Sequence, residues 1–281
     1  MELLVGTAGG VFDETGRPLS SSPVVHLARR DDAWWAVGPE GLIRNGRPVT
    51  DTPNVTLNCV LPTEHTVWVG GSNARLFRLE AEELREETTF LGAPGRDKWH
   101  TPWGGPPDIR SMSEASDGVV YVNVHVGGIL RFDDSGFVPT VDIESDVHQV
   151  VAHPTRPEVA ATASARGWAV TVNGHDFEFN SDGLTHTYCR AVALDGDTIW
   201  VSASRGPRGG DARLFRGNLA GTEVEPVSGL PVFDGNLDTH CVLANGGFVF
   251  VGHGPEVWGS TDSGASWELL LGDLPDVTCL A

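Results

Sequence analysis

The sequence contains little lysine and few cysteines, and it has no long apolar run. Lys98 is the one lysine among 19 basic residues, which face 38 acidic residues and leave a net charge of −19 at pH 7. This charge opposes binding to nucleic acid and to anionic membranes. No run approaches the roughly 18 apolar residues of a membrane span, and the N-terminus lacks the basic start and apolar core of a signal peptide. We therefore expect a cytoplasmic location.

The four cysteines, Cys59, Cys189, Cys241 and Cys279, lack the CxxC spacing of zinc and redox sites. In a cytoplasmic chain of this size we predict that they are reduced and lie in the core. Glycine is abundant instead, with 35 residues, while 40% of the chain is apolar and 20% is charged. This composition excludes a disordered chain and a coiled coil and favours a turn-rich globular protein.

A short apolar strand, a turn and a second strand ending in small residues recur along the chain. The first strand of this unit occurs seven times, at VVHLA from 24, TLNCVL from 56, DIRSMS from 108, DVHQVV from 146, YCRAVAL from 188, DTHCVL from 238 and DVTCLA from 276. Alternating apolar residues and Gly, Asp and Asn turns predict an all-β fold. Seven units of about 40 residues predict a seven-bladed β-propeller.

The two ends of the chain complement each other. The seventh of these first strands ends at Ala281. Residues Met1–Phe12 match the second and third strands of the unit, without a first strand in front of them. We therefore predict that the N- and C-terminal strands share one blade of a single propeller domain over residues 1–281, which removes exposed sheet edges. Six blades are the alternative if the short Val24–Thr50 unit is incomplete.

One turn carries a distinctive motif. The segment from Ser260 to Trp267 has the spacing SxDxGxxW, and degenerate versions occur at FDETGRPL, FDDSGF and VNGHDF. In such a turn Asp and Ser cap a hairpin, Gly takes a positive φ and Trp packs between blades. The motif resembles the Asp-box, and the chain resembles the WD40/YVTN/BNR (Asp-box, sialidase-like) repeat β-propellers. In these families the box is structural and lies away from the active site.

The resemblance does not extend to a sialidase site, which needs three convergent arginines, a tyrosine nucleophile backed by a carboxylate, and an acid/base aspartate. The chain offers two axial arginines, Arg110 and Arg190, and two tyrosines, Tyr121 and Tyr188. Sialidase domains also have six blades. We therefore place a sialidase-like glycosidase behind other functions.

Alignment of the seven first strands gives one wholly polar column. Its members are Thr278, His26, Asn58, Arg110, His148, Arg190 and His240. The first strand of each blade lines the central channel of a propeller, and side chains alternate along a strand, so this column should face the channel. Its three histidines, from blades 2, 5 and 7, could meet on the axis as ligands of a divalent transition metal, with zinc, iron, copper and manganese not distinguished.

Other candidate residues are predicted at the same mouth of the channel. Asp146, Asp238 and Tyr188 stand two residues before column members, and His125 and His253 lie in loops between second and third strands. These five are candidate catalytic residues, acting as general bases or as orienters of the metal ligands. Candidate substrate-binding residues are Arg110 and Arg190, which suit an anion, together with Asn58, His100, Trp103 and His186.

Three functions remain open at this stage. The first is a metal-dependent enzyme acting on a small, perhaps anionic, molecule, with His26, His148 and His240 as ligands. The second is a metal-free hydrolase or lyase with a histidine base and the two arginines as anion clamps. The third is a non-catalytic propeller that binds a protein or a glycan on this face, since the fold supports all three equally. A small-molecule substrate and no nucleic-acid or membrane partner are expected, while the sequence leaves the oligomeric state open and a monomer is plausible.

Overall fold

The computed structural model describes residues 2–49, 54–102 and 104–281. In the first half of the chain the strands, in order, are β1 (Leu4–Thr7), β2 (Gly10–Asp13), β3 (Pro18–Ser20), β4 (His26–Arg30), β5 (Ala33–Gly38), β6 (Gly41–Arg44), β7 (Arg47–Pro48), β8 (Leu57–Pro62), β9 (Val67–Gly71), β10 (Arg75–Glu80), β11 (Glu83–Glu86), β12 (Ile109–Glu114), β13 (Val120–Val124), β14 (Gly128–Asp133) and β15 (Gly136–Val141).

In the second half they are β16 (Val147–Ala152), β17 (Ala160–Ser164), β18 (Gly167–Thr171), β19 (Glu178–Asn180), β20 (Val192–Asp195), β21 (Thr198–Ala203), β22 (Arg213–Asn218), β23 (Val224–Pro226), β24 (Val242–Asn245), β25 (Phe248–His253), β26 (Glu256–Ser260), β27 (Glu268–Leu271) and β28 (Val277–Leu280). Helical structure in the described residues is confined to α1 (Thr88–Leu91) and three 3₁₀ turns, at Ser72–Ala74, Arg96–Lys98 and Ile143–Ser145.

The strands form seven antiparallel sheets of four strands each. Blades 2 to 7 use consecutive strands, from β4–β7 to β24–β27, and blade 1 has the order β28-β1-β2-β3. Val5 of β1 pairs with Leu280 of β28, and the backbones of Leu4 and Ala281 exchange two hydrogen bonds, of 2.7 and 3.0 Å. The predicted seven-bladed propeller with a blade shared by both ends is confirmed. The short unit is a complete blade, because β7 supplies its fourth strand.

The hydrophobic core is divided among the seven interfaces between neighbouring blades. One cluster of buried residues fills each interface, and the cluster that joins blade 7 to blade 1 combines Phe250 and Val257 with Val5 and Leu280. No blade has a core of its own, so each is stabilised by apolar surface buried against two neighbours. The four cysteines are free and buried, as expected.

The turn from Ser260 to Trp267 has the capping geometry that its sequence predicts. Ser260 Oγ accepts a hydrogen bond from the Gly264 amide at 2.8 Å, and Asp262 Oδ1 accepts one from the Ser266 amide at 2.9 Å. Gly264 has φ of 81°, and a Cβ there would lie 2.5 Å from the Trp200 ring. Trp267 Nε1 donates to the Gly264 carbonyl at 3.2 Å. These bonds all lie within the turn, and they stabilise its shape.

The axial column coincides with irregular backbone. Pairing skips Thr278, Asn58, Arg110 and His148, each of which is an extra residue in its strand. Such β-bulges bend the strand and redirect a side chain. The residues that follow the column members are all buried, at Cys279, Leu27, Cys59, Ser111, Gln149, Ala191 and Cys241. This confirms the predicted register, in which one residue faces the channel and the next packs inside the blade.

All seven first strands begin later than the sequence indicates, by one or two residues in five blades and by four residues in blades 6 and 7. In blade 6 the strand begins at Val192, because the amides of Arg190 and Ala191 donate to the side-chain Oγ of Ser202 in β21 instead of to a backbone carbonyl. In blade 7 it begins at Val242, since His240 has φ of 68° and its amide donates to Gln149 Oε1 at 3.1 Å. Arg190 and His240 therefore lie just before the regular strands, so their side chains do not follow the alternation of side chains along a strand.

Among the described residues, no helix has the length and apolar character that crossing a membrane would require.

Candidate functional site

An open pocket of about 370 Å³ lies at the channel mouth, where the first strands begin. We call it the axial pocket. Five of the seven column residues line it, namely Asn58, Arg110, Arg190, His240 and Thr278, together with Val25, Asp108, Asp238, Thr239 and Val277. This volume is at the lower end of the range for small-molecule sites. The predicted mouth is thus a concave, polar site of a size suited to a small ligand.

Three candidate residues form a compact group with metal-ligating atoms. His125, Asp146 and His148 each offer one such atom, and these atoms lie within 4.8 Å of one another. We call them the histidine group. His125 Nε2 is 2.9 Å from Asp146 Oδ1, and His148 Nε2 is 3.7 Å from the same oxygen. Two imidazoles and one carboxylate form a ligand set used by iron, zinc and manganese.

His148 has one ring nitrogen free for a ligand. Its Nδ1 lies 2.6 Å from the Cys189 carbonyl, which can only accept, so Nδ1 carries the proton and Nε2 carries a lone pair. Nε2 is buried and has no hydrogen-bond partner among the described residues. Burial lowers the pKa of His148 to about 4, so the ring is neutral at pH 7. A metal-binding imidazole commonly has this arrangement, with its other nitrogen held by a carbonyl.

Asp146 takes its position from an unusual backbone. Its φ of 46° and ψ of 62° lie in the left-handed region, at the end of the 3₁₀ turn Ile143–Ser145, and its carbonyl accepts from the Ala165 amide at 3.1 Å. Burial would raise the pKa of the Asp146 carboxyl, but the contact with His125 and the positive charge of Arg110 lower it overall. The carboxylate is therefore ionised at neutral pH and directed at the two imidazoles.

A second set of residues lines the axial pocket itself and offers hydrogen-bond donors. We call Asn58, Arg110 and Arg190 the arginine group. Burial, followed by the nearby charge of Arg190, lowers the pKa of Arg110. Arg190 forms an ion pair with Asp238 and donates to the Pro207 carbonyl at 3.2 Å. Asn58 Nδ2 and Arg190 Nε are buried without a hydrogen-bond partner among the described residues.

Tyr188 lies between the two groups. Its ring centroid is 4.8 Å from that of His148, and the Arg190 guanidinium lies over the ring, 5.6 Å from its centroid. The Tyr188 backbone is held by a bridge to Ser204. The Tyr188 ring therefore contacts both the imidazole of His148 and the guanidinium of Arg190.

His26 and His240 pack against each other. Their ring centroids are 3.8 Å apart. His26 Nδ1 accepts a hydrogen bond from the Val60 amide at 3.0 Å, and His240 Nε2 lies 3.3 Å from the Arg110 carbonyl. His26 thus accepts a backbone hydrogen bond from the first strand of blade 3, and His240 contacts a backbone carbonyl of blade 4. Neither belongs to the histidine group; His148 is the member that this group shares with the predicted three-histidine set.

The remaining predicted site residues stand apart from both groups. His186 Nε2 is 2.9 Å from Asp211 Oδ2, and the His253 ring packs on Phe233 with centroids 4.9 Å apart. His100 is exposed, with Nδ1 2.8 Å from the Lys98 carbonyl. Trp103 lies outside the described residues.

The grouping of His125 with Asp146 and His148 is the feature that the sequence alignment does not predict. His125 follows the second strand of blade 4, whereas Asp146 and His148 begin blade 5. Alignment compares equivalent positions in different blades, so it does not bring together a loop of one blade and the first strand of the next. A comparison of residues in adjacent blades would identify this group from the sequence.

No protein-family model matches the chain, and no curated protein matches it. Solved structures are similar in fold. A provisionally assigned 6-phosphogluconolactonase from Bacteroides uniformis is 14% identical, with a TM-score of 0.67 over 100% of this chain and 98% of that one. Virginiamycin B lyase from Staphylococcus aureus is 12% identical, with a TM-score of 0.61 over 95% and 87% of the two chains. At these identities the similarity supports the β-propeller fold alone.

Proposed function

We propose that the protein is a metal-dependent enzyme that acts on a small molecule in the axial pocket, with His125, Asp146 and His148 as metal ligands. The observation that carries this proposal is the buried, unpartnered Nε2 of His148, 3.7 Å from an ionised carboxylate. A buried polar atom without a partner costs free energy, and a bound cation removes that cost. The other nitrogen of His148 is already fixed by the Cys189 carbonyl.

The donor set limits the choice of metal. Imidazole and carboxylate ligands suit zinc, iron(II) and manganese, and copper also accepts imidazole. Three protein ligands leave further coordination positions open, where a bound metal would polarise a substrate oxygen or lower the pKa of a water molecule. Tyr188, beside His148, is placed to hold or donate a proton at the mouth.

Elemental analysis of the purified protein tests the metal site. The wild-type protein should contain one transition-metal ion per chain after growth with metal, and His148→Ala and Asp146→Asn should lose it. His175→Ala, at an exposed histidine outside the pocket, is the matched control and should retain the ion. Thermal unfolding of each variant identifies a folding defect. Metal retention in both His148→Ala and Asp146→Asn, or no metal in folded wild-type protein, would overturn the proposal.

A metal-free hydrolase or lyase is the second candidate, and one distance favours it. His125 Nε2 and Asp146 Oδ1 are 2.9 Å apart, which is the geometry of an oriented histidine base. The names of the fold neighbours suggest a lactone and virginiamycin B as first test compounds. Turnover that survives chelation but disappears in His125→Ala would favour this candidate, whereas turnover that requires added metal would favour the first.

A further inference from the structure

We propose that Asn58, Arg110 and Arg190 form a subsite for one anionic group of the substrate, a carboxylate or a phosphate, and that a metal in the histidine group strengthens binding there. The first part stands on the arginine group itself. The second part rests on the proposed function, because it needs a metal at His125, Asp146 and His148.

The arginine group has donors that lack acceptors. Asn58 Nδ2 and Arg190 Nε are both buried at the pocket without a hydrogen-bond partner in the described ranges. Arg110 forms no salt bridge with any described carboxylate, although it lines the same pocket. A nitrogen that can only donate is satisfied by an oxygen acceptor, and a planar guanidinium suits the two oxygens of a carboxylate or phosphate. These donors therefore select an anion over a cation or an apolar group.

The aspartates of the pocket are already engaged. Asp238 pairs with Arg190, and Asp108 Oδ1 accepts a hydrogen bond from the Asn73 amide at 3.2 Å. Asp146 lies within the histidine group. None of the three forms a salt bridge with Arg110 among the described residues, although Asp108 and Asp146 lie near it, so an incoming anion can pair with Arg110 directly.

The balance of charge explains the dependence on metal. Arg110 and Arg190 face three aspartates, Asp108, Asp146 and Asp238, so the mouth carries a small negative charge before a metal binds. A divalent ion reverses the sign. The whole chain carries −19, but charges farther away than a Debye length of about 10 Å are largely screened, so the mouth sets the local potential. Metal and anion should therefore each raise the other's affinity, as linkage requires.

Calorimetric titration with inorganic phosphate and with acetate tests the subsite. Each anion is titrated into wild-type protein loaded with Mn²⁺ and into protein stripped of metal and dialysed free of chelator. We expect the loaded protein to bind one of the two anions about tenfold more tightly than the stripped protein. The anion that binds more tightly identifies the group, phosphate or carboxylate, that the subsite prefers.

Arg110→Gln separates the subsite from direct binding of the anion to the metal. In loaded protein it should lower anion affinity about tenfold or more, because a charge-assisted bond is lost, while Mn²⁺ content stays the same. Arg110→Lys keeps the charge and should recover part of the affinity. The control is Arg208→Gln, at an exposed arginine outside the pocket, which should change the affinity less than about twofold.

The outcomes are distinct from those of the metal test. Equal anion affinity in wild-type and Arg110→Gln protein, or no binding of either anion in both loaded and stripped protein, would overturn the subsite even if the metal is present. Equal affinity with and without metal would overturn the coupling alone. If the folded protein binds no Mn²⁺, the proposed metal site and the coupling fail together, while titration of stripped wild-type and Arg110→Gln protein still decides the subsite.

Discussion

The two sides of the channel mouth are built on the same backbone device but have opposite chemistry. His148 and Arg110 both stand at β-bulges of first strands, in neighbouring blades. The unpartnered buried Nε2 of His148 carries a lone pair and can accept, whereas the unpartnered nitrogens of the arginine group carry hydrogens and can only donate. The repeated β-bulge therefore supplies a position at the channel mouth, and the residue that occupies this position determines whether the site suits a cation or an anion.

The two sides also differ in exposure. The His148 side chain is 0% exposed, whereas that of Arg190 is 22% exposed. A metal ion, once bound, would therefore be held among buried ligands, and an anion would arrive from the open pocket. Buried ligands suit a metal that stays bound, and an open pocket suits a substrate that exchanges with solvent.

The largest expected effect separates the aspartates of the two sides. Asp146→Asn removes a charged ligand from the histidine group and should lower Co²⁺ affinity by more than about a hundredfold, since even changes to residues behind the ligands cost 10- to 100-fold. Asp238→Asn, on the arginine side, should leave that affinity within about twofold. Co²⁺ titration followed by visible absorption measures both. Similar losses in the two variants would show that the mouth acts as one electrostatic unit.

The second prediction concerns His26, which the sequence alone proposes as a ligand. His26→Phe keeps the ring's volume but removes the acceptor for the Val60 amide, so we expect a loss of about 1–3 kcal/mol in the free energy of unfolding. Urea denaturation measures it. Metal content should not change. A loss of metal at unchanged stability would instead favour His26, His148 and His240 as the ligands.

The fold could be predicted from the sequence because it is repeated seven times. Strand alternation gives the blades, the incomplete units at the two ends give the closing blade, and alignment gives the axial column. The site depends on features that appear once. The left-handed backbone of Asp146, with φ of 46°, and the late start of β20 at Val192 accompany local contacts within blades 5 and 6, namely the bond from the Ala165 amide and those to Ser202 Oγ.

Candidate residues were therefore predictable one by one, but their grouping was not. His125 and Asp146 were each expected at the mouth, and it is the approach of blade 4 to blade 5 that joins them to His148. Likewise His26 and His240 were expected on the axis, but hydrogen bonds to Val60 and Arg110 hold their rings against each other. Side-chain partners across blades decide these distances, and repeat alignment contains no information about them.

The third prediction uses pH to compare the stacked histidines with the rest of the mouth. Burial lowers the pKa of His26 well below its usual value and that of His240 to about 4. Both rings are neutral in the folded protein at pH 7, and the unfolded chain takes up protons first as pH falls below about 6.5. The stability that the His240 ring contributes is complete above that pH and declines towards pH 4, by about 1.4 kcal/mol per pH unit.

Urea denaturation at intervals between pH 7.5 and 4.5 measures this decline. His240→Gln cannot titrate at that position, so its stability should fall less steeply than that of the wild type over the same interval. His175→Gln, at an exposed histidine outside the pocket, is the control. Parallel curves for wild type and His240→Gln would show that the ring gains protons equally in both states.

The smallest expected effect lies at Tyr188, which separates the two sides. If the ring acts as a spacer between His148 and Arg190, Tyr188→Phe keeps both ring contacts and should change Co²⁺ affinity and phosphate affinity by less than about threefold. Tyr188→Ala removes the spacer, which brings the guanidinium nearer to the metal ligands and should weaken metal binding by charge repulsion. A loss of turnover in Tyr188→Phe with both affinities unchanged would assign the hydroxyl to proton transfer, because binding on each side would be intact while the reaction between them had stopped.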